Sequence, residues 1–173
     1  MIQLLLLFTI MNSLIIVDFS TGSDRSNWNI VNDIVMGGNS TGKFYINSEG
    51  NGVFKGVVSL ANSGGFASVR YRFRQTEISG YTKFVIRLKG DGKRYQLRVK
   101  SSTPNFHSYI KYFTTSKDWQ IVEITLNELY PSFRGRKLNQ PAFSGEKIEE
   151  IGFLVGNKKA EDFKLEIDKI ELR

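Results

Sequence analysis

Apolar and polar residues alternate with a period of two through most of this chain, a rhythm that suits half-buried strands and not helices. Over 66–74, Ala67, Val69, Tyr71 and Phe73 share one face, and Ser68, Arg70, Arg72 and Arg74 share the other. Over 83–89, Phe84, Ile86 and Leu88 oppose Lys83, Val85, Arg87 and Lys89. Over 94–100, Tyr95, Leu97 and Val99 oppose Arg94, Gln96, Arg98 and Lys100. Further strands are expected over 14–19, 29–35, 43–47, 52–60, 108–114, 120–126, 149–155 and 163–172. Glycine-rich turns separate them, among them Gly37-Gly38, Gly64-Gly65 and Gly90-Asp91-Gly92. The last joins two strands by a short polar loop and reads as a β-hairpin. Only 126–130 has a helical look, and Pro131 would end it after about one turn.

About ten short strands with almost no helix predict an all-β fold: an antiparallel two-sheet β-sandwich or jelly roll, with a barrel as second choice. A parallel α/β sheet would need crossover helices, which the pattern lacks. Thirteen Phe, seven Tyr and two Trp supply bulk for the core. With no repeat or linker, residues 14–173 are expected to form one sandwich domain. Residues 1–13 form an apolar leader without a preceding Lys or Arg or a clear cleavage site, so a signal peptide and an anchor both stay open. A cleaved leader would place the protein outside the cytoplasm; otherwise it would be cytoplasmic or peripheral to the inner membrane.

Catalytic signatures fail one by one. There is no Cys, hence no thiolate nucleophile or thiolate metal site, and His107 is the single histidine. No nucleophile elbow, P-loop, HExxH or strand-linked GxGxxG occurs. Glu146, Glu149, Glu150 and the acidic residues over 161–171 read as solvated edges and turns. No carboxylate-rich loop suggests Ca²⁺. The chain is therefore expected to be no enzyme and to need neither cofactor nor metal.

The polar strand faces carry the positive signal. The chain has 24 Lys+Arg against 17 Asp+Glu, a net charge of +7. Arg70, Arg72, Arg74, Arg87, Lys89, Arg94, Arg98 and Lys100, with Gln96, fall on polar faces with few acidic residues among them. The next strand adds either His107, Tyr109 and Lys111 or Ser108, Ile110 and Tyr112. Such a face is either an ordinary solvated surface or a site for carboxylates, phosphates or sugars. Arg134 and Arg136 form a second basic cluster. No RRM, KH or cold-shock pattern accompanies these patches, which argues against nucleic acid.

The run Asp18-Phe19-Ser20, Trp28, Val31-Asn32-Asp33-Ile34-Val35-Met36-Gly37-Gly38, Gly52–Leu60 and Gly64-Gly65-Phe66-Ala67-Ser68-Val69-Arg70 closely resembles the complex I intermediate-associated protein 30 family. The similarity continues in Leu88–Tyr95, Pro131–Arg136 and Ile151-Gly152-Phe153, and so covers nearly everything after Ile15. The resemblance implies a galactose-binding-domain-like jelly roll, akin to some carbohydrate-binding modules, and a role in assembling respiratory complex I. Within the motif, Trp28 and Met36 are expected in the core. Asp33 is expected to cap the turn at Gly37-Gly38, and Gly64-Gly65 to adopt conformations closed to other residues. The leading expectation is a non-enzymatic assembly factor docking a protein partner, a complex I subunit or assembly intermediate, through Arg70, Arg87, Gln96, Arg98, Tyr109, Lys111, Arg134 and Arg136. The alternative is a carbohydrate-binding module with a glycan on the concave sheet face.

Overall fold

A computed structural model describes residues 12–173, so the expected leader lies, apart from Asn12 and Ser13, outside the described residues. The strands are β1 (Leu14–Asp18), β2 (Trp28–Asn32), β3 (Thr41–Ile46), β4 (Gly52–Val58), β5 (Ala67–Glu77), β6 (Lys83–Lys89), β7 (Arg94–Lys100), β8 (Ser108–Thr114), β9 (Trp119–Thr125), β10 (Tyr130–Phe133), β11 (Arg136–Lys137), β12 (Lys147–Val155) and β13 (Glu161–Leu172). They form two antiparallel sheets. One runs β3-β4-β13-β6-β9, with β1 also paired to β13; the other runs β11-β10-β8-β7-β12-β5-β2. Among the described residues no helix is long and apolar enough to cross a membrane.

The alternation explains the sandwich. Phe84, Ile86 and Leu88 of the first sheet and Tyr95, Leu97, Val99 and Phe153 of the second are fully buried between the layers. One edge, where β2 and β3 meet, is bridged by aromatic stacking: Trp28 lies 4.5 Å from the Phe44 ring and 4.9 Å from Tyr71.

Three local expectations are corrected. Gly90-Asp91-Gly92 is no hairpin: β6 and β7 lie in different sheets, and the loop crosses the sandwich edge. Asp91 holds the crossing. Its carboxylate accepts from the Tyr95 hydroxyl at 3.1 Å in one sheet and from the Lys164 N–H at 3.0 Å in the other. The helix expected over 126–130 is one 3₁₀ turn, Leu126–Glu128, with the Glu128 carboxylate accepting from the Thr125 N–H. The chain then returns to extended form, and Pro131 sits inside β10 opposite Tyr109. A proline tolerates this near an edge, where only the two-residue β11 lies beyond. The strand expected over 29–35 ends at Asn32, because a 3₁₀ turn at Asp33–Met36 draws Asp33 inward.

Candidate functional site

That inward aspartate organises the family motif. Asp33 is fully buried. Its Oδ1 accepts from the Ser40 N–H at 2.9 Å; its Oδ2 accepts from the Ser40 hydroxyl and from the N–H groups of Gly65 at 2.6 Å and Phe66 at 3.2 Å. Burial pushes this carboxyl up, but the bonds from Ser40, Gly65 and Phe66 outweigh it and hold the pKa below the ordinary carboxylate value. The glycines make room: a Cβ at Gly38 would lie 2.4 Å from Asp33 Cγ, and one at Gly64 would lie 2.6 Å from Oδ2. Gly37 turns the chain at φ +91°. Asp33 thus ties two loops, a wider role than the turn cap expected of it. Met36, expected in the core, is instead 55% exposed beside Ile34 and Val35, because the 3₁₀ turn directs only Asp33 inward.

The expected basic face divides between the sheets. Register puts residues of β5, β12, β7 and β8 in rows on the outer face of the second sheet: Arg72, Glu150 and Lys100; Arg70, Gly152, Arg98 and Ile110; Ser68, Leu154, Gln96 and Tyr112. Arg70, Gln96 and Arg98 therefore come together as expected. Arg87 does not join them. It lies on the outer face of the first sheet, ion-paired to Asp168 at 2.8 Å and stacked 4.6 Å from the Trp119 ring. Tyr109 and Lys111 have the opposite parity from Tyr112: Tyr109 packs against the core, 5.1 Å from the Phe143 ring, and Lys111 reaches Glu128 at 2.8 Å. Arg136 stands opposite Phe133 on the outermost hairpin, and Arg134 bends the turn at φ +48° with its guanidinium over the Phe133 ring. That hairpin edge is about 14 Å from the strand of Arg98, three strand spacings away.

The two outer faces differ in how charge is balanced. On the first sheet, pairs interleave: Lys83 with Glu123, Arg87 with Asp168, Lys164 with Glu166. On the second sheet, Arg70, Arg72, Arg94, Arg98 and Lys100 share the strand rows with Glu150 as their one carboxylate. Glu150, expected to be solvated, is buried and committed to Arg72 at 2.8 Å. The Lys100 ammonium is taken up by the carbonyls of Thr103 and Asn105. Arg98 donates to Gln96 Oε1 at 2.9 Å, and Gln96 in turn donates to the Tyr112 hydroxyl at 2.7 Å. Arg70 and Arg98 have no carboxylate partner among the described residues, and the buried Nε of Arg70 has no hydrogen-bond partner there. Burial, and then the charge of Arg70, push the Arg98 guanidinium down to about 10, so it remains charged at neutral pH.

Two tyrosines edge this face, and each ring carries a cation. The Arg94 guanidinium lies 4.4 Å from the Tyr112 ring centre and Lys137 Nζ 5.2 Å from that of Tyr130. Tyr130, masked in the sequence by its helical surroundings, joins the face because it pairs with Ile110. Gly152 was the available signal for the arginine pair: a glycine inside an apolar strand marks a close approach. A Cβ there would lie 2.5 Å from the Val69 carbonyl oxygen. His107 stays outside the arginine cluster, its ring 5.1 Å from those of Phe106 and Tyr109. Among the described residues no three His, Cys, Asp or Glu side chains are placed to hold a metal ion.

The family model for complex I intermediate-associated protein 30 matches residues 17–167, from β1 into β13. The chain belongs to the complex I intermediate-associated protein 30 family. Its fold is similar to the family 11 carbohydrate-binding module of the cellulosomal cellulase Lic26A-Cel5E of Clostridium thermocellum, with a TM-score of 0.67 at 16% identity over 95% of each chain. That module in complex with a β-1,3-1,4-mixed-linked tetrasaccharide gives 0.64 at 19% identity, over 92% of this chain and 94% of the other. An agarase gives 0.61 at 14% identity, over 92% of this chain and 24% of the agarase. At these identities the likeness is one of fold. Within the family motif, Asp33, Gly38 and Gly64 build the buried knot, and Gly152 separates Arg70 from Arg98.

Proposed function

We propose that this family member is a non-catalytic binding protein that docks an acidic protein surface on the outer face of its second sheet, in the assembly of a respiratory complex I intermediate. One observation carries the reading: the rows that hold Arg70, Arg72, Arg94, Arg98 and Lys100 contain one carboxylate, Glu150, already paired to Arg72. Guanidinium groups such as those of Arg70 and Arg98, which have no carboxylate partner among the described residues, favour a partner that supplies carboxylates, and such complementarity sets orientation and association rate. Family membership supports the assembly setting. Cells carrying the folded double variant Arg70→Glu, Arg98→Glu should accumulate assembly intermediates on native gels. Normal complex I levels in those cells would sink the proposal.

A glycan reading has support in the carbohydrate-binding modules of similar fold and in Tyr112 and Tyr130 on the same face. Against it, each ring already has a cation over it, which a stacking sugar would have to displace. Titration with soluble mixed-linked β-glucan separates the two: saturable binding, lost in Tyr112→Ala, favours the glycan.

A further inference from the structure

Arg70 and Arg98 flank Gly152 from either side, paired with it in register across β5-β12-β7. Their backbones are about 10 Å apart, two strand spacings, and the residue between them has no side chain. Two guanidiniums can therefore lean toward each other over bare backbone. Among the described residues no carboxylate pairs with either: Glu150 in the adjacent row is bound to Arg72 and reaches Arg98 only through its charge, Lys100 adds further positive charge, and Arg70 Nε is buried without a partner. Gln96 braces one side, accepting from Arg98 while donating to Tyr112. Two partly desolvated like charges held beside each other are unfavourable unless an anion joins them.

We infer that Arg70 and Arg98 form a two-guanidinium clamp for one carboxylate, seated over Gly152 and supplied by a Glu or Asp side chain of an acidic segment in the protein partner. The segment's being protein rests on the docking function proposed above; the preference of the arginine pair for a carboxylate does not. A carboxylate fits better than a phosphate dianion. It is planar, accepts from two forks at once, and places less charge beside the buried Glu150. The flanking Arg72, Arg94 and Lys100 would meet further acidic residues of the segment at the rim, where each contributes little.

The clamp has a signature that a merely structural arginine pair lacks. An uncompensated pair opposes folding, so removing one member should leave thermal stability equal or raised while weakening anion binding. The test uses the full chain, a hexaglutamate peptide as probe, and a neutral hexaglutamine peptide at matched ionic strength as control. Calorimetric titration should give saturable 1:1 binding of hexaglutamate alone. Arg70→Gln or Arg98→Gln should weaken it about tenfold or more, with unchanged or higher melting temperatures. Arg70→Lys, which keeps the charge but loses the fork, should recover only part of the affinity. Equal binding of both peptides, or Gln variants that melt lower and bind hexaglutamate unchanged, would overturn the clamp. A variant that fails to fold counts against it for the same reason. Hexaglutamate binding with normal complex I assembly in the variant cells would keep the clamp and discard the assembly role. Defective assembly without hexaglutamate binding would do the reverse.

Discussion

Removing the Asp33 carboxylate would take the acceptor from three N–H groups, those of Ser40, Gly65 and Phe66, and leave the Ser40 hydroxyl only the Ser59 carbonyl at 3.3 Å. Unsatisfied buried donors are costly, and Asp33→Ala should destabilise the fold by about 3 kcal/mol or more in urea denaturation. The sign of the pH dependence follows from the lowered pKa. A folded pKa below the unfolded value of about 3.9 gives stability that is complete above that value and lost as pH falls through the folded pKa. The stability gap between the wild-type chain and Asp33→Asn should therefore be widest near neutral pH and shrink on acidification below about pH 4. Three residues on, Met36 should tolerate Ser within about 0.5 kcal/mol, because it touches water. Trp28→Ala, which empties a stack against Phe44 and Tyr71, should cost about 3–5 kcal/mol. Residues that share a motif can thus differ widely in what they hold up.

At the scale of elements, the crossing from β6 to β7 carries the sandwich from one sheet to the other. Asp91 is its anchor, meeting Tyr95 on one side and Lys164 on the other. Burial, the nearby Asp91 charge and the bond to it push the Tyr95 hydroxyl well above the ordinary tyrosine range, so it stays protonated as the donor. Tyr95→Phe should cost about 1 kcal/mol and Asp91→Ala more, since it also abandons the Lys164 N–H. Their double-mutant cycle should show coupling of about 1 kcal/mol; additive losses would mean the pair contributes no energy of its own. The bounds of β6, β7 and β8 were legible to the residue, because alternation marks where a chain runs extended; the inner side of β8 was not, since either set of its residues could face in. The strand β10 was not: its four residues include Pro131, and only pairing with β8 makes them a strand.

For the whole molecule, the consequence of two back-to-back sheets is that equal charge counts on two strands need not make one surface. Arg87 and Arg98 occupy similar places in their alternation patterns, yet they face opposite sides of the protein. Hexaglutamate binding should be lost in Arg98→Glu and kept in Arg87→Glu, whose ion pair with Asp168 is solvent-exposed and contributes little to folding. Raising salt from about 0.05 to about 0.5 M should weaken binding of the acidic peptide, with the loss concentrated in the rim contacts of Arg72 and Arg94. A salt-independent affinity would mean that the face binds through apolar contact instead.

The chain's own order of residues determined most of the strands, the inner sides of β5, β6 and β7, and the family motif, because period-two alternation and glycine turns are local properties of a chain in water. Which strands would be neighbours was decided only by tertiary structure. Pairing depends on contacts between residues far apart in sequence, such as Gly152 with Arg70 and Arg98. The same dependence separated Arg87 from the arginine cluster, turned Tyr109 toward the core, and brought Tyr130 to the outer face. Local pattern sorts each side chain to one of two faces; long-range pairing decides which sheet that face belongs to and which charges meet there.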